Sequence, residues 1–252
     1  MPNISKPIVD INASSVYYRD LNAQLRDIVT EGASKINLYN VHGQRYIGTD
    51  INKPVEIEIF GTPGNDLGAF MNGPRIIVHG NAQDGCGNTM NEGEIIVHGR
   101  AGDTVGLSAR GGKIFVRGDV GYRTGIHMKE YQERKPVIVI GGTAQDFLGE
   151  YMAGGVLILL GLNLAEGKTH RSKYVGTGMH GGVIYLRGDI PEWQLGKEVG
   201  ITEVGEADHD TLNMYVVEFA REFGYDAGEI LNHRFIKLYP RWLRPYGRLY
   251  AY

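Results

Sequence analysis

Cysteine is nearly missing from this sequence: Cys86 is the only one among 252 residues. One thiol cannot close an intrachain disulfide, and alone it cannot hold an all-cysteine zinc or iron–sulfur site. Proline is sparse, at 9 residues, and glycine does not recur every third position, which excludes a collagen-like helix. No uninterrupted apolar stretch reaches the length of a membrane span, and the N-terminus shows no secretory pattern, so a cytoplasmic protein without membrane association is expected.

Glycine, by contrast, is abundant, with 37 residues, roughly twice the usual ~7% share. With 42% hydrophobic residues the chain can build a sizeable core rather than remain disordered. The glycines that close short apolar runs are Gly43, Gly61, Gly80, Gly99, Gly118, Gly141, Gly161 and Gly188, separated by 18, 19, 19, 19, 23, 20 and 27 residues. The longer steps contain insertions around Lys129–Lys135 and Leu164–Lys173, leaving a core period of about nineteen residues. Two positions before each glycine stand Val41, Ile59, Val78, Val97, Val116, Val139, Leu159 and Leu186; four before it stand Tyr39, Ile57, Ile76, Ile95, Ile114, Val137, Leu157 and Ile184. A spacing of two puts both columns on one face of a strand, read here as the inward face.

A second glycine column, Gly68, Gly87, Gly106, Gly125, Gly149 and Gly176, is followed three residues later by Met71, Met90, Ala109, Met128, Met152 and Met179. Identical side chains stacked turn on turn, with glycine at the corners, predict a right-handed parallel β-helix of about seven turns, with strands ~4.8 Å apart. Residues 1–35 are expected to cap it, with Leu21, Leu25 and Ile28 at helical spacing before Gly32; residues 36–190 form the repeat domain. Residues 191–252 form a C-terminal extension, with a helical stripe Leu212, Tyr215, Val216, Phe219, Ala220 and Phe223 between Asp208 and Gly224, and a basic aromatic end.

Several constellations have ordinary structural readings. Gly176-Thr-Gly178-Met-His-Gly181 is followed by a strand rather than a helix, so it lacks the setting that holds a pyrophosphate. His42, His79 and His98 form a column that continues as Arg117, which disfavours a metal and favours a solvated ladder. Asn65, Asp84, Asp103 and Asp146 recur before the second glycine column, as expected of side chains that bond their own turns. Cys86 takes the place of Leu67 and Val105 in neighbouring turns and reads as a small buried group. The basic tail, with Arg234, Lys237, Arg241, Arg244 and Arg248, is better suited to docking against the acidic remainder or a partner than to nucleic acid, because no nucleic-acid module is visible.

The column three before each closing glycine is more informative. Ile77, Ile96, Phe115, Ile138 and Ile158 should face outwards on adjacent coils, forming an apolar patch that a monomer rarely leaves bare. Its expected cover is the C-terminal helix of this chain, a second copy in a homo-oligomer, or a different protein.

The coils Glu56–Gly161, with Gly106-Leu-Ser-Ala-Arg-Gly-Gly-Lys-Ile-Phe-Val-Arg-Gly118 and Gly149-Glu-Tyr-Met-Ala-Gly-Gly-Val-Leu-Ile-Leu-Leu-Gly161, resemble the C-terminal β-helix domain of the large chain of glutamate synthase, which also occurs as a stand-alone subunit. The glycine pattern is shared with one of the subunits of formylmethanofuran dehydrogenase, whereas Glu229-Ile-Leu-Asn-His-Arg-Phe-Ile-Lys237 favours the first resemblance. That resemblance implies a glutamine amidotransferase subunit and a flavin (FMN) and iron–sulfur synthase subunit as partners, with ammonia passing between them. No catalytic, cofactor-binding or metal residue carries over: Met1-Pro2 does not match the amidotransferase's N-terminal cysteine, and Cys86 matches no cluster motif. The implied role is a non-catalytic spacer that docks the catalytic subunits in glutamate formation. The alternatives are a formylmethanofuran dehydrogenase-like or N-methylglutamate synthase-like subunit, or an independent β-helix enzyme or carbohydrate-binding module.

Overall fold

The computed structural model describes residues 7–242. Nine parallel strands form successive rungs: β1 (Ile8–Asn12), β2 (Lys35–His42), β3 (Glu56–Thr62), β4 (Asn72–Val78), β5 (Glu92–Val97), β6 (Lys113–Val116), β7 (Val137–Ile140), β8 (Ala153–Leu159) and β9 (Gly181–Arg187). Two further strands close the C-terminal edge: β11 (Phe235–Pro240) runs antiparallel to β9, and β10 (Val199–Glu203) antiparallel to β11. The result is a β-solenoid of about six turns, slightly fewer than the glycine spacing suggests.

Strand registers define the interior. Ile57, Ile76, Ile95, Ile114, Ile138, Leu157 and Ile184 stack as one fully buried column, and Ile59, Val78, Val97, Val116, Ile140, Leu159 and Leu186 as the other. Two rungs correct the sequence reading. In β7 the inward pair is Ile138 and Ile140, not Val137 and Val139, so Ile138 points into the core rather than outwards. The corner here is Gly142, whose N–H donates to Gly118 O at 3.0 Å. Four successive β-branched residues disguise the alternation, and the Gly141–Gly142 doublet hides which glycine turns the corner. In β2 a bulge follows Tyr39, with Asn40 at φ +57°; the inward pair is Ile36 and Leu38, and Tyr39 faces solvent.

The second glycine column answers to space as well as to backbone conformation. Gly106 has φ +67°, and a Cβ there would lie 2.4 Å from Ile138 Cδ1 in the next rung. The methionines fill the interior beside these corners: Met71, Met90, Met128, Met152 and Met179 are all essentially inaccessible.

Helix α1 (Tyr18–Thr30) closes the N-terminal end of this interior with Leu21, Leu25 and Val29, and Gly32 at φ +98° follows its end. Helix α2 (Glu206–Phe223), terminated by Gly224 at φ +73°, lies on the outer face of the sheet; the short α3 (Ala227–Leu231) leads into β11. Leu212, Val216, Phe219, Ala220 and Phe223 of α2 form a second core with Ile96, Phe115, Val139, Ile158 and Tyr185. Asp208 fastens the helix start: its carboxylate accepts from Tyr185 Oη at 2.6 Å, Lys237 Nζ at 2.7 Å and Gly205 N at 2.9 Å. Burial works to raise the Asp208 pKa, but these donors outweigh it and hold the carboxyl below its usual value.

Candidate functional site: exposed rings at the corner of the solenoid

The outer apolar column is not an open surface. Ile96, Phe115 and Ile158 are at most 3% exposed, because α2 lies over them; Ile138 faces the interior, and half-buried Ile77 sits at the margin of the cluster. Phe115 meets Phe219 edge-on, with ring centroids 6.0 Å apart. The chain therefore supplies its own cover for this patch.

Most other reactive groups singled out in the sequence are spent on structure. Asp84 Oδ1 accepts from Asp103 N and Asp103 Oδ1 from Tyr122 N, both at 2.9 Å, while Asp146 Oδ1 accepts from Lys173 N at 2.8 Å. These carboxylates bond the backbone of the next coil rather than their own turn, which explains their nineteen-residue recurrence better than local turn chemistry does. The adjoining glycines make room: a Cβ at Gly102 would lie 2.1 Å from Asp84 Oδ1. Cys86 is buried, and desolvation pushes its thiol up to about 12, so little nucleophilic thiolate exists at neutral pH. Gly176, Gly178 and Gly181 belong to a corner that leads into β9, not to a helix.

The histidine column is a ring ladder of different membership. Tyr39, not His42, begins it, followed by Phe60, His79 and His98 at centroid separations of 4.9, 4.5 and 5.4 Å. His79 also meets Glu58 at 2.7 Å. Among the described residues no three His, Cys, Asp or Glu side chains converge as a metal site, and no helix is long and apolar enough to cross a membrane.

What remains exposed and unusual lies at one corner, flanking the second glycine column. Two residues before these glycines the late coils carry Arg123, Phe147 and Tyr174; two after them stand His127 and Tyr151. Arg123 lies 4.9 Å over the Phe147 ring, Phe147 stacks on Tyr174 at 4.9 Å, and His127 stacks on Tyr151 at 5.3 Å. Tyr174 and Trp193 border an open cleft of about 740 Å³ that also includes Thr177, Lys197, Glu198 and Arg241. Strand columns do not reveal these rings; their signal in the sequence is a recurring position two residues either side of a glycine.

The sequence comparisons agree with this architecture. The model of the GXGXG motif family matches residues 20–244. The chain belongs to that family. An uncharacterized protein of Methanocaldococcus jannaschii is 50% identical to this GXGXG chain, across 96% of each sequence.

Proposed function

We propose that this GXGXG chain is a non-catalytic β-solenoid subunit of a glutamate-synthase-like complex. It docks a glutamine amidotransferase subunit and a flavin and iron–sulfur synthase subunit, and helps shape the path of ammonia between them. The observation that carries this reading is the family match over nearly the whole chain, together with the engagement of its acids and thiol in stacking coils. A scaffold needs rigidity and surface rather than a reactive centre, and a solenoid provides a continuous core with long exposed faces. In this reading FMN and the clusters belong to the partner subunits: the buried, protonated Cys86 thiol is not presented as a ligand.

The test is purification of the full chain, tagged, from its native cells. The expected result is stoichiometric recovery of an amidotransferase and a flavoprotein, with glutamine-dependent glutamate formation that falls when this subunit is omitted while ammonia-dependent formation persists. Recovery of molybdopterin or tungsten enzyme subunits, or no effect of omission on use of glutamine, would overturn the assignment.

A further inference from the structure

The corner rings are not explained by folding. Arg123, His127, Phe147, Tyr151 and Tyr174 all have φ between +52° and +67°, where a bulky side chain is strained. The coils at Gly87 and Gly106 fill the same two positions with Gly85, Thr89, Thr104 and Ser108, so the turn itself does not require an aromatic residue, while Tyr46 and Phe70 repeat an exposed ring at these positions in the first coils. Nor are the rings buried: Tyr151 is 46% exposed, Tyr174 53% and Trp193 71%. Strain without burial, repeated on adjacent coils, points to something outside the chain.

The ladder also stops with one face open. After Arg123, Phe147 and Tyr174, the next coil offers Gln194, which turns inward and donates to Ser172 O at 2.6 Å and His170 O at 3.1 Å. The cleft beside Tyr174 lies at this missing rung. Its lining holds two cations and two acids: among the described residues Lys197 and Arg241 have no carboxylate partner, Glu198 accepts from Gly178 N at 3.2 Å, and Glu192 stands exposed at the edge without a cation partner. Exposed Tyr, Trp and Arg in one patch is the composition of interface hot spots.

We propose that this corner, Tyr151, Tyr174 and Trp193 with Lys197 and Arg241 at the rim, seats a protein segment of a catalytic partner subunit. The segment bears a flat or aliphatic side chain against Tyr174 and a carboxylate against Lys197 and Arg241. This site rests on the scaffold reading above, and deepens it by naming where one partner docks.

Photo-crosslinking in native cells tests it, with benzoylphenylalanine in place of Tyr174 in the full chain and, as a control, in place of Val217 on the exposed back of α2. The expected adduct forms from position 174 only, with a different protein, at a peptide containing Asp or Glu. With the partner so identified, Tyr174→Gly and Lys197→Glu should each weaken its binding at least about tenfold, as for hot-spot residues. Their melting temperatures should stay within about 3 °C of the wild type, since glycine relieves the backbone strain at 174 while the ring stack is lost. No adduct at 174, an adduct with a second copy of this chain, an adduct at a segment without carboxylates, or variants that bind within twofold of wild type would each overturn the site. An acidic-segment adduct with a protein that is neither amidotransferase nor flavoprotein keeps the site and removes the glutamate-synthase-like reading. An amidotransferase or flavoprotein captured only through position 217 does the reverse.

Discussion

The outer face of the sheet is two surfaces made from the same strand positions. In the early rungs one outward column alternates in charge, as Lys35, Glu56, Arg75, Glu94 and Lys113, with successive nitrogen–oxygen distances of 3.0, 3.2, 3.1 and 2.8 Å. Beside it runs the Tyr39–Phe60–His79–His98 ladder. From β7 onwards the charged column becomes Val137, Val156 and Val183, and α2 lies across the face. Opposite charges on neighbouring strands satisfy each other, at ~0.2–1 kcal/mol per pair, and need no cover. Aliphatic side chains in the same places must be removed from water, at ~25 cal/mol per Å², and so recruit a helix. At the border the helix speaks to both halves: Glu222 reaches Arg75 at 2.8 Å, Glu218 pairs with Lys113, and Phe223 meets His98 edge-on at 5.1 Å.

The largest test of this division places a charge in each half. Phe115→Asp would bury a carboxylate between β6 and Phe219, where no cation is bonded to it, and should cost several kcal/mol. We expect loss of the cooperative melt, or release of α2 to protease in an otherwise intact solenoid. Asn37→Asp on the uncovered half gives up its bond to Asp10 and sets a carboxylate between Asp10 and Glu58, but near water and Lys35, so it should cost only about 1–2 kcal/mol. Equal destabilisation by the two substitutions, measured by thermal unfolding, would remove the distinction between the halves.

A smaller effect separates how the lid is fastened at its two ends. Asp208→Ala leaves the buried Tyr185 hydroxyl without its acceptor and frees the N–H of Gly205, so a loss of about 2–3 kcal/mol is expected. Glu222→Gln at the other end removes one member of a half-exposed ion-pair network and should cost about 1 kcal/mol or less, shrinking further in high salt. Denaturant titration of both variants, with and without 1 M salt as a ~3 Å screening condition, is the measurement. A larger loss from Glu222→Gln would mean that the charged ladder, not Asp208, holds the helix down.

Much of this contrast is legible in the sequence, and the parts that are not have identifiable causes. The nineteen-residue period and the glycine columns expose the solenoid because each coil meets its neighbours in the same way, and the stripe from Leu212 to Phe223 exposes the lid. The slip at β7 comes from two adjacent glycines after four aliphatic residues, where neither turn nor alternation marks the register. Tyr39 misleads because the bulge at Asn40 shifts the rung by one residue. Glu56, Arg75, Glu94 and Lys113 are visible in principle, each five residues before its closing glycine, but Lys35 stands eight before Gly43, and only strand pairing shows that it belongs to the same line. The corner rings are hardest, since their one signal, a place two residues either side of a corner glycine, does not by itself say that the residue stands at positive φ with its ring in water.

Acid should separate the halves in order, and this is the subtlest effect. His170 is almost wholly buried in the insertion before β9, with Nε2 facing Arg187 O at 3.0 Å; burial, with the nearby Arg187 charge, lowers its pKa from the ordinary 6.5. The unfolded chain therefore takes up this proton first, so the stability linked to neutral His170 is complete above about pH 6.5 and is lost as pH falls towards the depressed folded value. On the uncovered half Glu58 is held below its ordinary 4.5, first by the bond from Lys35 and then by His79. Its contribution is complete above about pH 4.5 and is lost only below that, as the carboxylate is protonated. Hydrogen exchange between pH 7 and 5 should accordingly loosen the segment between Leu164 and Lys173 while β2–β4 stay protected, and the reverse contrast should develop only near pH 4. His170→Gln should reduce the slope in the upper part of the stability profile, leaving the share of His98, whose pKa burial also lowers where the ladder meets Phe223, and Glu58→Gln should flatten the lower part. If His170→Gln leaves the slope between pH 7 and 5 unchanged, the acid sensitivity of the covered half originates elsewhere.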